Sequence, residues 1–484
     1  MCGIIGVIGT PNAARELYGG LLTLQHRGQD SAGLLTSDET FHLYRGIGMV
    51  SQALPLEALT QLTGEMGIGH TRYATMGSGK IEETQPHAVS FPYGISMAHN
   101  GNIVNYQSLV QDLRKSKNRH LSTRTDIEVI LNLFAHYLSR EANGTGFEIE
   151  GLFNAIWSAM QDLVGAYSVV GVISQQGLLG FRDPGGIRPL VIGKKKASFG
   201  FSYALASESA TLRFLGYELM RDIEPGEAVF IPKLGEPFFR KLRDEPKKSC
   251  MFEWVYFASP ESQLDGIPVY AARLAFGKSM ARKVLKHILD KNLNIDLVIP
   301  VPDSSRPAAI ALAEALRIPY REALIKNRYV QRTFILDSQT KRESAVQLKL
   351  SPVESEIRGK NILIVDDSIV RGTTSRQIIR MLKEAGASRV YFASTCPPIK
   401  NPCYYGIDFP VREELIAFEK KISEIRDELQ ADELIYTDVE DLEGALNTKS
   451  ICTACLTGNY PTDVSEAERL TNDRIVDRQK EEDS

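Results

Sequence analysis

At 484 residues the chain exceeds what one hydrophobic core sustains, so two domains are expected and three are possible; 43% hydrophobic and 24% charged residues exclude a disordered chain. A formal net charge of −4 offers no general attraction to nucleic acid or anionic membranes, so any anion must be held by a local site. No apolar run reaches the roughly 18 residues of a membrane span, and Met1-Cys2-Gly3 lacks the basic flank of a signal peptide, so a cytoplasmic protein with no membrane partner is expected.

The first half is built from short apolar runs punctuated by glycine: CGIIGVIG, GEMGIGHTRYAT, YGISMAHNG, AYSVVGVIS and GLLGFRD. These read as strands, many antiparallel, and an α+β sandwich fits them. Thr125 and Glu128 have capping-box spacing, and Ile127, Ile130, Leu131, Phe134 and Leu138 follow on one helical face. The charged, proline-bearing stretch from Arg240 to Lys248 reads as a linker, dividing the chain into units 2–239 and 250–460 around a junction at 240–249.

In the second half, Leu297-Val298-Ile299, Ile362 to Val365 and Val390 to Ala393 are continuous apolar runs, with helical patterns at Pro307 to Leu316 and Ser375 to Ala385 between them. Continuous rather than alternating strands imply burial on both faces, hence a doubly wound parallel α/β sheet. Leu415, Phe418, Ile422, Ile425 and Leu429 step along one further amphipathic helix, and residues 461–484 form a charged tail.

In the first half Cys2 becomes N-terminal if Met1 is removed, as its small side chain permits. A free α-amine has a pKa of about 7.7–8.0, low enough to accept the thiol proton of its own residue. Cys2 could instead be a small hydrophobe at a strand start. Three companions favour chemistry: Arg72 in GHTRYAT as a bidentate carboxylate partner, Asn100 and Gly101 in AHNGNI as an oxyanion hole, and Asp126 as a partner for an ammonium group. With LQHRGQDSAG, from Leu24 to Gly33, these segments resemble the class II glutamine amidotransferase family. The resemblance implies an N-terminal-nucleophile αββα sandwich in which Cys2 attacks the glutamine amide, while Arg72 and Asp126 bind the amino acid. Arg27 is given a pocket-shaping part and no chemical step.

The strongest single signal is ILIVDDSIVRGTTS, Ile362 to Ser375. A buried strand ends in Asp366 and Asp367, and a turn of small residues opens a helix, where phosphates sit on free N–H groups. Gly372 allows close backbone approach, Thr373, Thr374 and Ser375 offer hydroxyls, and the acid pair suits ribose hydroxyls and Mg²⁺. A bare acidic pair with a glycine could be a plain turn, but the whole string has the order the chemistry requires. It resembles the phosphoribosyl pyrophosphate signature of type I phosphoribosyltransferases. That implies Asp366 and Asp367 on the ribose hydroxyls and metal, with Ser368 to Ser375, Arg371 included, around the 5-phosphate. In VIPVPDSSRPAAIA, Asp303, Ser304 and Ser305 are placed for pyrophosphate, with Ser304 joining the acid pair on Mg²⁺. KNRYVQRTF, bearing Lys326, Arg328 and Arg332, is similar to the loop that closes over the substrate in this family.

The two halves together resemble the amidophosphoribosyltransferase family. The resemblance implies glutamine hydrolysis at Cys2 and ammonia channelled to phosphoribosyl pyrophosphate, giving 5-phosphoribosylamine, glutamate and pyrophosphate as the first step of de novo purine synthesis. It also implies a homotetramer and feedback by purine nucleotides of the AMP and GMP type. Six cysteines are too few for a disulfide scaffold. The segments around Cys250, Cys403, Cys452 and Cys455 resemble the ligand-bearing regions of the iron–sulfur subgroup, implying a [4Fe–4S] cluster with Cys396 as the spare thiol; a Cys₄ zinc site is the second reading. Another class II amidotransferase is disfavoured because those enzymes lack ILIVDDSIVRGTTS. A non-catalytic nucleotide-sensing regulator is disfavoured by the intact Cys2, Arg72, Asn100 and acidic pair.

Overall fold

The computed structural model describes residues 1–73, 80–142, 146–198, 200–327, 350–409, 411–467, 469 and 471. Arg328, Arg332 and most of the expected charged tail lie outside the described residues.

Among the described residues, thirteen strands form the first lobe: β1 (Gly3–Ile8), β2 (Ser31–Ser37), β3 (Phe41–Ile47), β4 (Met66–Arg72), β5 (His87–Val89), β6 (Ile95–Ile103), β7 (Gly165–Ile173), β8 (Gly177–Arg182), β9 (Val191–Lys196), β10 (Phe201–Ala206), β11 (Glu218–Asp222), β12 (Glu227–Pro232) and β13 (Phe238–Lys241). They make two antiparallel sheets, ordered β11-β9-β10-β1-β4-β2-β3 and β13-β12-β8-β7-β6-β5. β1 is apolar throughout because each face meets a different core. Ile4 and Ile8 pack with Ile68, Val170, Val172 and Leu178 between the sheets, while Ile5 and Val7 pack outward on Leu17 and Leu21 of α1 (Ala13–Thr23). On the far side, α2 (Asp126–Glu141) and α3 (Ile149–Asp162) cover the second sheet through Ile130, Phe134 and Ile156 against Met97 and Val169. The result is the four-layer αββα sandwich.

The helix expected after Thr125 forms, but without the capping box. Thr125 makes no side-chain cap bond; the Glu128 carboxylate instead accepts the Ser122 and Thr123 N–H groups at 2.7 and 2.6 Å. The preceding loop turns its own free donors toward Glu128, and they satisfy it in place of the cap.

The second lobe carries a parallel sheet in the order β14 (Leu297–Pro300), β15 (Asn361–Asp366), β16 (Arg389–Ser394), β17 (Glu433–Tyr436). α4 (Val269–Lys291) and α5 (Arg306–Leu316) pack on one face, where Val298, Leu363 and Val365 point. α6 (Thr373–Glu384) and α7 (Ile422–Leu429) pack on the other, against Ile299, Ile362 and Ile364. Burial on both faces explains the unbroken apolar runs.

The helix expected from Leu415 to Leu429 is shorter than its periodicity implied, beginning at Ile422. Glu419 sits at φ +54, in the left-handed region that interrupts a right-handed helix, and the Ile416 N–H is bound to the Val370 carbonyl. Leu415 is buried and Phe418 partly buried against the core all the same, so their spacing reports a core contact and not a helical face.

Strand β13 runs to Lys241, so residues 242–248 are the stretch without regular structure, and this stretch lies along the first lobe through Leu242 N–H to Gly226 and Lys248 N–H to Gly185. The lobes share a buried seam. Arg182 of β8 pairs with Asp265 of the second lobe through both guanidinium nitrogens, at 2.8 and 3.1 Å, with side chains 1% and 7% exposed. Among the described residues no helix is long and apolar enough to cross a membrane.

Asp265→Asn would leave a buried guanidinium without its counter-charge. It is expected to destabilise the chain by about 3–5 kcal/mol, seen as a lower urea midpoint; an unchanged midpoint would show that the pair adds nothing to the seam.

Candidate active sites

Cys2 lies one residue outside the β1 ladder, which starts at Gly3 opposite Thr71 of β4. Its N–H donates to Asn100 Oδ1 at 3.2 Å, its Sγ lies 3.7 Å from the Tyr73 carbonyl, and its own carbonyl accepts Arg27 Nε at 3.1 Å. Met1 is buried, and burial pushes its α-amine down to about 6.

Asn100 and Gly101 stand near the end of β6. Asn100 is 1% exposed, and its Nδ2 has no hydrogen-bond partner among the described residues, an unusual state for a buried amide. Gly101 has φ +149, and a Cβ there would stand 1.9 Å from the Ala166 carbonyl oxygen, so this strand passes only with glycine. The Asn100 side-chain amide is thus brought beside the thiol-bearing residue.

The two residues expected to grip the amino acid are both buried and engaged. Arg72 Nη2 lies 3.1 Å from Glu83 Oε2, and Asp126 Oδ2 lies 3.0 Å from His99 Nε2. Asp126 is held below the usual carboxylate range: its burial acts upward, but the charge and hydrogen bond of His99 outweigh it.

In the second lobe, β15 delivers Asp366 and Asp367 to the carboxyl edge of the sheet. Asp367 accepts the hydroxyls of Ser304 and of Ser368, the latter at 2.7 Å, and its N–H donates to Asp366 Oδ1 at 2.9 Å. Burial first, and then the neighbouring carboxylate, pushes Asp366 well above the ordinary range; burial raises Asp367 as well. Two desolvated carboxyls with a serine hydroxyl make an all-oxygen donor set that suits a hard divalent cation.

Gly372, at φ +75, precedes α6, and a Cβ there would stand 2.3 Å from Ile416 Cδ1. Thr373, Thr374 and Ser375 form the first turn of the helix, where backbone N–H groups lack intrahelical acceptors. Arg371 bonds Glu414 at 2.7 Å. Asp303 is exposed and paired with Lys326 at 2.7 Å and Arg306 at 3.0 Å, which brings Lys326 to this edge as well. The Ser305 hydroxyl is turned inward to the Val301 carbonyl, leaving Ser304 as the outward-facing serine of the pair.

Four of the six cysteines converge. Ser249-Cys250 pairs in parallel with Ile451-Cys452, with Cys250 opposite Cys452, while the Cys455 carbonyl accepts the Lys400 and Asn401 N–H groups shortly before Cys403. All four are buried. Cys250, Cys403 and Cys452 act electrostatically on one another and on Cys455, and the Arg188 guanidinium lies close enough to Cys250 and Cys403 to feel both. Burial pushes the Cys250 thiol up to about 11 and raises those of Cys452 and Cys455 as well. Among the described residues no group of three or more His, Cys, Asp or Glu could hold a single metal ion. Cys396 is buried, and burial first, then the charges of Asp367 and Cys250, push its thiol well above the ordinary range.

Residues without a sequence signal complete the arrangement. Asn102 Nδ2 donates to the Tyr404 carbonyl at 2.9 Å, Arg188 Nε to the Tyr405 carbonyl at 2.8 Å, and Gly406 packs on Gly101. The segment after Cys403 therefore lies directly under the Asn100-Gly101 strand. A polar residue in a strand does not announce a partner some 300 positions away.

Residues 70–213 match the glutamine amidotransferase domain family, and residues 270–413 the phosphoribosyl transferase domain family. An amidophosphoribosyltransferase of Pseudomonas aeruginosa is 45% identical over 476 residues, covering 96% of this chain and 94% of its own. The solved glutamine phosphoribosylpyrophosphate amidotransferase from B. subtilis, complexed with ADP and GMP, superposes with a TM-score of 0.84 at 38% identity, covering 96% of this chain and 98% of its own. A structure described as the allosteric regulatory enzyme of purine biosynthesis gives 0.86 at 37% identity, covering 98% and 99%. With two domain families in this order and near full-length identity of this size, the chain belongs to the amidophosphoribosyltransferase family.

Proposed function

We propose that the chain is a glutamine-dependent amidophosphoribosyltransferase that opens de novo purine synthesis by making 5-phosphoribosylamine, glutamate and pyrophosphate. The observation that carries this reading is the pairing, in one chain, of a thiol-bearing residue bonded to a buried amide whose Nδ2 has no partner among the described residues with an acid pair at the carboxyl edge of a parallel sheet.

With Met1 removed, the Cys2 α-amine takes the thiol proton and the sulfur attacks the glutamine amide carbon. Asn100 Nδ2 and the Gly101 N–H meet the oxygen as it gains charge. The amine returns its proton to the leaving nitrogen, ammonia departs, and water hydrolyses the thioester to glutamate. Arg72 binds the substrate carboxylate and Asp126 its ammonium, each sharing or releasing its present partner, Glu83 or His99.

In the other lobe Asp366 and Asp367 take the ribose hydroxyls and, with Ser304, would hold Mg²⁺. Ser368, Arg371, Gly372, Thr373, Thr374 and Ser375 surround the 5-phosphate. Asp303, Ser304 and Ser305 border the pyrophosphate, and Lys326, Arg328 and Arg332 meet it as it leaves. When bound, Mg²⁺ supplies positive charge where the leaving group gains negative charge. Ammonia then attacks the anomeric carbon as the bond to pyrophosphate breaks. Because free ammonia is mostly protonated near neutral pH, its release inside one protein keeps it a nucleophile.

The glutaminase unit runs from Cys2 through β13, and the phosphoribosyl unit from Cys250 to about residue 460. The convergence of Cys250, Cys403, Cys452 and Cys455 beside Arg188 supports a [4Fe–4S] cluster. A Cys₄ zinc site is the second reading of the same four thiols. A homotetramer in the cytoplasm, inhibited by purine nucleotides of the AMP and GMP type, is the regulated form proposed; the ADP and GMP of the B. subtilis complex support the nucleotides.

Cys2→Ala is expected to lower glutamine-dependent synthesis by about 10³-fold or more while sparing synthesis from added ammonia; loss of both in a folded variant would contradict the division of labour. Asp366→Asn with Asp367→Asn should abolish pyrophosphate release from either nitrogen source, and retained ammonia-dependent synthesis would place the donor site elsewhere. Protein purified without oxygen should contain iron and acid-labile sulfide in equal amounts, whereas stoichiometric zinc without iron would replace the cluster.

A further inference from the structure

A buried set of charges lies between the lobes, and neither half-reaction uses it. Arg27 is fully buried. Its Nη1 and Nη2 meet Glu253 Oε2 and Oε1 at 3.0 and 2.8 Å, and Nη1 also meets Glu208 Oε1 at 2.6 Å. Arg188 Nη1 stands 3.5 Å from Glu253 Oε1. None of these four side chains is more than 2% exposed. Two cations and two anions balance among these four, where an unmatched charge would be costly, and His26 Nε2 also reaches Glu208 Oε1 at 2.8 Å.

Glu253 is the member that comes from the second lobe. It opens the short helix Glu253–Phe257, and Arg273 of α4 gathers the carbonyls of Trp254, Tyr256 and Ala258 at 2.7–2.9 Å. Arg273 in turn lies within the electrostatic reach of Asp367. The segment thus meets Arg27 through Glu253, and its carbonyls hold Arg273, whose charge is felt at Asp367.

Cys2 precedes the β1 ladder, so its backbone is held by Asn100 at the N–H and Arg27 at the carbonyl. We propose that Glu253 is a positioning residue for Cys2: with Glu208 it fixes the Arg27 fork, so that Arg27 Nε sets the Cys2 carbonyl and the sulfur's approach to the substrate amide. A two-point carboxylate grip fixes the plane of a guanidinium, which a single contact does not. The glutaminase nucleophile is then aligned by a residue of the other lobe. This inference rests on the glutaminase reading above.

The test is Glu253→Gln in the full chain, which keeps the shape and removes the charge. Glutamine kcat is expected to fall about 10- to 100-fold with little change in KM, because the nucleophile and not the binding pocket is displaced. Alkylation of Cys2 by iodoacetamide should slow in parallel, ammonia-dependent synthesis should stay near the parent's, and adding the change to Arg27→Gln should cost nothing further. Arg27→Lys, which keeps the charge balance but loses the Nε bond, should show the same selective loss. An unchanged glutamine kcat, a change confined to KM, or loss of ammonia-dependent synthesis in both Glu253→Gln and Arg27→Lys would overturn the proposal. A parent protein that made no phosphoribosylamine even from ammonia would refute the enzymatic reading instead.

Discussion

A guanidinium removed from water must be answered by charge and hydrogen-bond acceptors on every side, and Arg27 is answered by residues of both lobes. Glu208 comes from the loop after β10, Glu253 from the start of the second lobe, and the remaining contact is the Cys2 carbonyl. Separating the lobes would strand one charge on each side, so the seam is an all-or-none contact. Arg182 with Asp265 and Arg188 with the Tyr405 carbonyl repeat the pattern. The geometry of the thiol-bearing residue therefore cannot be set by the first lobe alone.

The acid pair at the end of β15 obeys the complementary rule. Two neighbouring carboxyls, both raised by burial, resist ionising together without a cation, and the fold leaves them at the sheet's open edge, beside the serine hydroxyls and the free end of α6. An edge lined by oxygen acceptors on one side and by hydroxyls and helix N–H groups on the other is suited to a sugar phosphate carrying a divalent ion. The segment after Cys403 is joined to the Asn100-Gly101 strand through Tyr404 and Gly406, and to Arg188 through Tyr405.

What could be read from the sequence was what lay within one contiguous string. ILIVDDSIVRGTTS spelled out strand, acid pair, turn and helix because each follows the last in the chain, and the glycine-punctuated runs spelled out the sandwich. Periodicity failed where burial without helix produced the same spacing, as at Leu415 and Phe418, and the cap at Thr125 failed because a nearer loop supplied Glu128 with donors. Arg27 and Glu253 lie 226 positions apart, and nothing local in either segment marks the other. Likewise the Asp303 motif was legible, but its pairing with Lys326 and Arg306 was not.

If two lobes meet through one buried charge set that also anchors the nucleophile, their reactions should be tied in number. The most direct measurement is to follow glutamate and pyrophosphate together in purified protein supplied with glutamine, Mg²⁺ and phosphoribosyl pyrophosphate, and then to withhold the sugar. Matching amounts of the two products, with glutamate formation falling when the sugar is absent, are predicted. Glutamate released at the same rate with or without the sugar, and unaccompanied by pyrophosphate, would contradict the account.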